Sequence, residues 1–209
     1  MLLLIAGVLV GCKKDPAVEV PPGLDPLEEN TAALPEGETV NLVSAETTDY
    51  NETQARGRVD VAIDDVIACV QNPDVGVDRR RVADYSVTED VDDAYTTSYD
   101  VITTVEDLVT LTYTLTWVQG DRGDGTWGVR WSKAEDRETD DNAYLLTLLD
   151  GSVLLQPIDE DSTDVGIIEH LAATMTSTAD TEQFTGDFYA SILACSHDEP
   201  LPKYCDGDC

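Results

Sequence analysis

The most regular feature of the sequence is an apolar stripe in residues 180–195, near the C-terminal end of the chain. Its members, at spacings of four, four and three residues, are Phe184, Phe188, Ile192 and Cys195. At about 100° per residue they fall within roughly 80° of arc, so they predict one apolar face of a helix. Thr178 or Asp180 is placed to cap the first turn of that helix. Such a face needs a partner to cover it, and the preceding residues predict one.

Residues 95–131 alternate between apolar and polar positions. In the segment 109–117 the odd positions are apolar or aromatic, whereas the even positions are all threonine. The same period of two runs through residues 95–103 and 127–131. This pattern is typical of an antiparallel sheet that is buried on one face and wetted on the other, whereas parallel strands are apolar throughout. The odd-numbered face is therefore predicted to pack against the C-terminal helix.

The remaining elements are shorter. A short helix is predicted over residues 63–70, ended by Asn72-Pro73. Further strands are predicted at residues 51–61, 82–91, 144–149, 153–156 and 165–175, with a turn at Asp150-Gly151-Ser152. The chain is thus expected to form an α+β fold, a curved antiparallel sheet of about six or seven strands wrapped on a long C-terminal helix. A cystatin-like or NTF2-like cone is the alternative, but those folds place their main helix earlier in the chain.

The first eleven residues are apolar without a break and end at Cys12. They are too short to span a bilayer, which takes about 20 residues, and they fit the apolar core of a signal peptide. The residues Leu9-Val10-Gly11-Cys12 resemble the lipobox of bacterial lipoproteins. The resemblance implies a signal peptide at 1–11, acylation of Cys12 and anchoring in a membrane of the cell envelope. Lys13 after the cysteine implies the outer membrane of a Gram-negative bacterium, since Asp at that position favours retention in the inner membrane.

Residues 12–40 are rich in proline and acids and have no apolar period. They predict an extended tether that could reach on the order of 80 Å and hold the domain clear of the head groups. The folded domain is then expected at residues 41–197, followed by a cysteine-containing tail at 198–209.

Composition limits the partners of the chain. Its 43 acidic and 12 basic residues give a formal net charge of −31. A surface of that charge repels nucleic acids and anionic lipid head groups, so both are excluded as partners. The acids form either a solvated coat or a face that docks a basic partner. The sequence specifies no oligomeric state.

Four cysteines remain after Cys12, namely Cys69, Cys195, Cys205 and Cys209. An even number in an extracytoplasmic chain predicts two disulfides, with three possible pairings. We favour Cys69–Cys195 with Cys205–Cys209. A zinc site that includes His197 is the alternative, but the usual two-residue knuckle spacing is absent. No metal or cofactor is therefore predicted.

Four segments together resemble the START/Bet v 1-like superfamily, the SRPBCC group of polyketide cyclases/dehydrases and lipid-transport domains. They are residues 59–70 (VDVAIDDVIACV), 150–157 (DGSVLLQP), 163–167 (TDVGI) and 180–195 (DTEQFTGDFYASILAC). In order and spacing they look like the first strand with its short helix, an inner strand, the last strand and the long helix of that superfamily. The resemblance covers roughly residues 50–195. It implies a helix-grip fold with a cavity between sheet and long helix that often holds a lipid, sterol or polyketide.

The resemblance also implies the residues that line such a cavity. The candidates are Tyr99, Tyr113, Trp117, Trp127, Trp131, Glu169, Phe184 and Phe188. The alternative is that the aromatic side chains simply fill the core. Only one of the neighbours Glu169 and His170 can point inward. An inward Glu169 could act as an acid or base, whereas we expect both side chains to be exposed at a sheet edge.

Three functions follow from these observations. The first is a non-enzymatic envelope lipoprotein whose START-like domain binds a hydrophobic small molecule or lipid. The second is an enzyme of the polyketide cyclase or aromatase kind that works in the same cavity. The third is a structural or protein-binding lipoprotein with a filled core.

Overall fold

The computed structural model describes residues 21–77, 82–106, 109–123, 125–134, 142, 145–174 and 176–202. The elements in chain order are β1 Val40–Glu46, β2 Asn51–Val59, α1 Ile63–Val70, a 3₁₀ turn at Pro73–Val75, β3 Val82–Glu89, β4 Thr97–Glu106, β5 Thr110–Asp121, β6 Trp127–Lys133, β7 Leu146–Asp159, β8 Ser162–Ala173 and α2 Thr178–Ser196. Neither helix in this part of the chain is long and apolar enough to cross a membrane.

All the strands join one antiparallel sheet in the order β1-β2-β8-β7-β6-β5-β4-β3. Helix α2 packs across one face, which we call the inner face, and the opposite face is the outer face. The predicted α+β class, an antiparallel sheet closed by a long C-terminal helix, is therefore confirmed. The space between α2 and the inner face is called the groove below.

The sheet has eight strands rather than the six or seven predicted. Strand β1 lies at an edge and is mostly exposed, so it has no buried alternation for the sequence to display. Strand β7 runs without interruption through the predicted turn at Asp150-Gly151-Ser152. The glycine is needed there for space, because a Cβ on Gly151 would lie 1.9 Å from the ring of Trp131.

The alternation in β5 predicted its orientation correctly. Its odd positions from Leu111 to Trp117 belong to the core or pack against it. Its even threonines point to the outer face, where Thr116 donates a hydrogen bond of 2.6 Å to Asp100. The odd-numbered residues of β5 therefore pack together with α2 around one core.

Helix α2 is buried along more than the predicted stripe. Phe188 and Ile192 of that stripe are 4% and 0% exposed, but Thr181, Thr185 and Tyr189 are equally buried. The hydroxyl of Tyr189 donates a hydrogen bond of 2.6 Å to the carbonyl oxygen of Arg58, which ties α2 to β2. Threonine counts as polar in a hydropathy pattern. The pattern therefore predicted the stripe with Phe188 and Ile192 but not the second buried face with Thr181, Thr185 and Tyr189.

Helix α2 begins one residue after its cap. The N-cap is Ser177 rather than the predicted Thr178 or Asp180, and Asp180 takes part as the N3 residue of a capping box with Ser177. The reciprocal hydrogen bonds satisfy amide groups that would otherwise be exposed at the first turn.

A disulfide joins Cys69 of α1 to Cys195 of α2. This is the pairing favoured from the sequence. Because Cys195 is in a disulfide, it is not available as a thiolate ligand for zinc, and His197 instead lies 2.7 Å from Glu38. Cys205, Cys209 and the lipidation candidate Cys12 lie outside the described residues.

Residues 21–34, which we call the strap, lie on the outer face rather than forming part of a free tether. Leu24 and Ala32 are each 1% exposed. The amide of Leu27 donates to Ser152 Oγ at 3.1 Å, and the amide of Thr31 donates to Gln54 Oε1 at 2.6 Å. The sequence pattern missed this packing because an extended segment can bury single side chains and pair its backbone groups with the sheet without any apolar period.

Candidate functional site

The groove is filled at the end that holds the C-terminal half of α2. Trp117 stacks on Trp131 with ring centroids 4.7 Å apart, and Tyr99 stacks on Trp117 at 6.0 Å. Phe188 meets both tryptophans edge to face, at 6.0 Å and 5.8 Å. All four side chains are at most 4% exposed. These four cavity candidates therefore form solid core, which we call the packed end of the groove.

Strand register explains why these rings meet. Tyr99 pairs with Trp117, Trp117 with Trp131, and Trp131 with Gly151. Cross-strand partners share one face of a sheet, so the three aromatic residues form a row across the inner face. The Trp131 ring fills the space over Gly151, and the next residue in the row, paired with Gly151, is Glu169.

A polar group is buried at the packed end. Gln119 is 0% exposed and donates a hydrogen bond of 3.1 Å to the carbonyl oxygen of Val70 in α1. Its amide oxygen accepts from the indole N–H of Trp127 at 3.4 Å, so this candidate too is part of the core. Burial raises the pKa of Tyr99, which lies beside the same amide, far above its ordinary value, so its hydroxyl stays neutral.

The other end of the groove is hollow. A cavity of about 150 Å³ lies between the first turns of α2 and the inner face. Its walls are Val82, Val105, Leu111, Tyr113, Leu146, Leu149, Glu169, Leu171, Ala173, Thr176, Asp180 and Phe184. We call this the hollow end. A void of about 30 Å³ shares Tyr113, Leu149 and Phe184 with it and extends towards Trp117.

The eight cavity candidates thus divide into two groups. Tyr113, Glu169 and Phe184 line the cavity, whereas the other five are in the packed end. Most of the cavity wall is aliphatic and was not singled out, because sequence reasoning weighted aromatic residues. The odd positions of β5 pointed to Leu111, but the aliphatic residues of β7 and β8 carried no mark that separates a cavity wall from a core.

Glu169 and His170 point to opposite faces, as expected for neighbours on a strand, but neither is exposed. Strand β8 lies inside the sheet between β2 and β7, and the two side chains are 1% and 9% exposed. The expectation of edge exposure is therefore wrong. Glu169 faces the cavity, and its carboxyl group is an acid–base candidate by position.

His170 lies on the outer face beneath the strap. Its Nδ1 is 3.2 Å from Asp150 Oδ1, its Nε2 is 3.4 Å from Glu28 Oε1, and its ring stacks on Tyr50 at 4.3 Å. Burial lowers the pKa of His170, but the hydrogen bonds and charges of Asp150 and Glu28 outweigh it, so the pKa is raised.

The geometry of the hollow end suits binding of an apolar group. Drug-sized ligands occupy pockets of about 300–1,000 Å³, so a cavity of about 150 Å³ takes a smaller group as it stands. Phe184, which is only partly buried, lines both voids. Rotation of that one ring would therefore change the volume available to a ligand.

Comparison with known proteins identifies the fold. No protein-family model and no curated protein matches the sequence. Among solved structures, the STAR-related lipid transfer protein (fragment 25–204) from Xanthomonas axonopodis superposes with a TM-score of 0.58 at 16% identity, over 78% of this chain and 94% of that one. Human StAR-related lipid transfer protein 5 gives 0.56 at 13% identity, over 78% and 85% of the two chains.

The human StarD13 (DLC2) lipid transfer and protein localization domain gives a TM-score of 0.53 at 12% identity, over 77% of this chain and 84% of that one. Identities this low establish the fold alone. The chain therefore has the START/Bet v 1-like helix-grip fold that its four sequence segments resemble.

Proposed function

We propose that this chain is a non-enzymatic lipoprotein of the cell envelope that binds a small apolar molecule in the groove and is held at the outer membrane by acyl chains on Cys12. The cavity at the hollow end is the observation that carries the binding function. The fold adds support, since the solved structures with the same fold include proteins named for lipid transfer. The anchor rests on the lipobox resemblance of Leu9–Cys12.

The size of the cavity limits the ligand. A cavity of about 150 Å³ has room for roughly one benzene ring. A longer molecule would need the space beside Phe184, or would leave part of itself outside the groove. The proposal therefore predicts one ring or a short hydrocarbon segment within the groove, not an entire two-chain lipid.

The polar part of the cavity wall limits the chemistry of the ligand. Glu169 and Asp180 place two carboxyl groups on a lining that is otherwise mostly apolar. Carboxyl groups form hydrogen bonds with hydroxyl and amine groups, and the net charge of −31 repels anions at longer range. A neutral or cationic molecule that carries a hydroxyl or amine fits this wall, and an anionic one does not.

Native mass spectrometry tests the binding function. The full chain is purified in detergent from its own host, and its mass is compared with that of two variants. Ala173→Trp fills the cavity from β8, whereas Ala172→Trp adds the same bulk next to it on the outer face. We expect a co-purified small molecule on the natural chain and on Ala172→Trp, but not on Ala173→Trp. A bare mass of the natural chain in repeated preparations would reject binding and favour the filled-core lipoprotein.

Glu169 favours a second candidate, an enzyme of the cyclase or aromatase kind. A carboxyl group that is 1% exposed and lines an apolar cavity is positioned for acid–base work on a bound molecule. The two candidates differ in what Glu169→Gln does. If the protein is a carrier, the Glu169→Gln variant co-purifies with the same compound as the natural chain. If it is an enzyme, the variant co-purifies with a different compound, the unconverted substrate.

A further inference from the structure

A second polar site lies on the outer face, away from the groove. Register pairs His170 with Glu52 on one side and with Asp150 on the other, so these three residues form a row across β2, β8 and β7. The imidazole is the buried centre of that row, at 9% exposure, and Tyr50 covers its ring. The sheet itself therefore fixes a histidine between two carboxylates.

The strap adds a third carboxylate from above. Glu28 Oε1 lies 3.4 Å from His170 Nε2. Ligand atoms of Glu28, Glu52 and His170 all lie within 4.8 Å of one another. Two ligands at tetrahedral zinc bond lengths are about 3.4 Å apart. One pair of atoms thus already has that spacing, and the side chain of Glu28 is 36% exposed, which leaves it space to move closer to the other two ligands.

Neighbouring groups hold these atoms in place. Gln54 Nε2 donates to Glu52 Oε1 at 2.7 Å and to Glu28 Oε1 at 3.2 Å. Its own oxygen accepts from the amide and the hydroxyl of Thr31 at 2.6 Å and 2.8 Å. Asp150 lies 3.2 Å from Nδ1 of His170. A carboxylate on the second nitrogen of the imidazole, and an amide that orients the carboxylates, are the supports that protein metal ligands normally have.

The arrangement surrounds one point with electron-rich atoms of an imidazole and two carboxyl groups. His170 Nδ1 lies 3.2 Å from Asp150 Oδ1, so a neutral imidazole with its proton on Nδ1 would turn the lone pair of Nε2 towards Glu28. Glu28 and Glu52 also share the amide of Gln54, so their charges lie close together. A positive species between these atoms, either a proton or a metal cation, offsets the repulsion between their lone pairs and charges. One imidazole nitrogen with two carboxylate oxygens is a donor set typical of a zinc-type divalent cation.

We propose that Glu28, Glu52 and His170 form a site for a divalent transition-metal cation such as Zn²⁺, and that the bound cation holds the strap on the sheet. The consequence follows from where the ligands come from. Glu28 belongs to the strap, whereas the other two belong to β2 and β8. A cation that binds this folded arrangement and not the unfolded chain stabilises the strap on the domain by mass action.

The test uses the full chain, purified in detergent and stripped of metal with a chelator. Zn²⁺ alone is titrated by calorimetry, and Co²⁺ is titrated as a spectroscopic probe of the nitrogen and oxygen ligands. Glu28→Gln removes one ligand from a partly exposed position. Glu29→Gln removes the same charge from the neighbouring residue of the strap, and His197→Gln removes the other histidine of the chain.

We expect one saturable Zn²⁺ site in the natural chain. Affinity should fall at least about tenfold in Glu28→Gln and stay within about twofold in Glu29→Gln and His197→Gln. At 100-fold excess of Zn²⁺ over its Kd, Tm should rise by about 5–10 °C. Absence of saturable binding would overturn the proposal. Equal binding in Glu28→Gln and the natural chain, or a loss confined to His197→Gln, would do so as well. If attachment of the strap depends on pH but not on Zn²⁺, the cluster binds a proton rather than a metal, and the proposal is rejected.

Discussion

The two ends of the groove are built from the same helix and the same strands, yet one is solid and the other is hollow. Phe188 and Phe184 are one turn apart on α2 and show the difference. Phe188 contacts two tryptophan rings and is 4% exposed, whereas Phe184 is partly buried and lines a cavity of about 150 Å³. The comparison teaches that one amphipathic stripe can supply both a packed core and the wall of a cavity.

The largest expected effect comes from this pair of phenylalanines. Phe188→Ala should lower the free energy of unfolding by about 3–5 kcal/mol, because it removes a buried ring that packs edge to face against two tryptophan rings. Phe184→Ala should cost about 2 kcal/mol or less, because its ring already borders open space. Urea denaturation of both variants measures the difference. Equal losses would show that the two ends are packed alike.

Removal of the disulfide should come next in size. Cys69→Ser with Cys195→Ser opens a loop of 126 residues and should cost about 2–4 kcal/mol. The disulfide fixes the C-terminal half of α2 only, so amide exchange in the natural chain should be slower there than around Phe184. Hydrogen exchange of both proteins checks this. A uniform exchange rate along α2 in the natural chain would contradict the division of the groove.

A smaller effect is expected from two glycines on opposite faces. Gly151→Ala places a methyl group 1.9 Å from the ring of Trp131, which cannot move within the packed end. It should cost about 1–3 kcal/mol. Gly166→Ala on the outer face meets nothing closer than 3.4 Å and should be almost neutral. Thermal unfolding of the two variants measures the difference. If both variants are as stable as the natural chain, the packed end has room for a methyl group and is not tightly packed.

The smallest effect concerns His170, on the face opposite the groove. Its pKa is raised in the folded state, so its contribution to stability is present below about pH 6.5 and is lost as pH rises through the higher folded value. With chelator present, Tm should fall between pH 6 and pH 8.5 by the equivalent of less than about 1 kcal/mol. His170→Gln should flatten that slope. A slope of the same size in the variant would assign the titration to another group.

The fold was predictable where one face of an element is buried and the other is wet. The threonine alternation of β5 and the apolar stripe of α2 satisfy that condition, and both were predicted correctly. The condition fails in β1, an exposed edge, and at Gly151, where the missing side chain is replaced by a ring from another strand. Turn residues and close-packed glycines look the same in a sequence, since the distinction depends on what lies across the sheet.

The site was less predictable than the fold. Aromatic residues marked the groove correctly, but Trp117 and Tyr113, four positions apart on β5, lie in different parts of it. Whether a ring fills or lines a space depends on its neighbours on other strands, which periodicity does not encode. The outer site was harder still, because its three ligands come from residues 28, 52 and 170 and none is part of a local motif.

If Cys12 is acylated as proposed, the strap also limits the distance between the domain and the membrane. The carbonyl oxygen of Pro22 accepts a hydrogen bond of 2.8 Å from Tyr95, so the chain is already moored to the domain there. Cys12 precedes Pro22 by ten residues, which span at most about 35 Å when fully extended. This hydrogen bond lies close to Thr97, where β4 begins, whereas Val105 of the cavity wall lies near the other end of β4. An acylated Cys12 would therefore hold the domain by its solid end, with the cavity most of a strand length beyond the point of attachment.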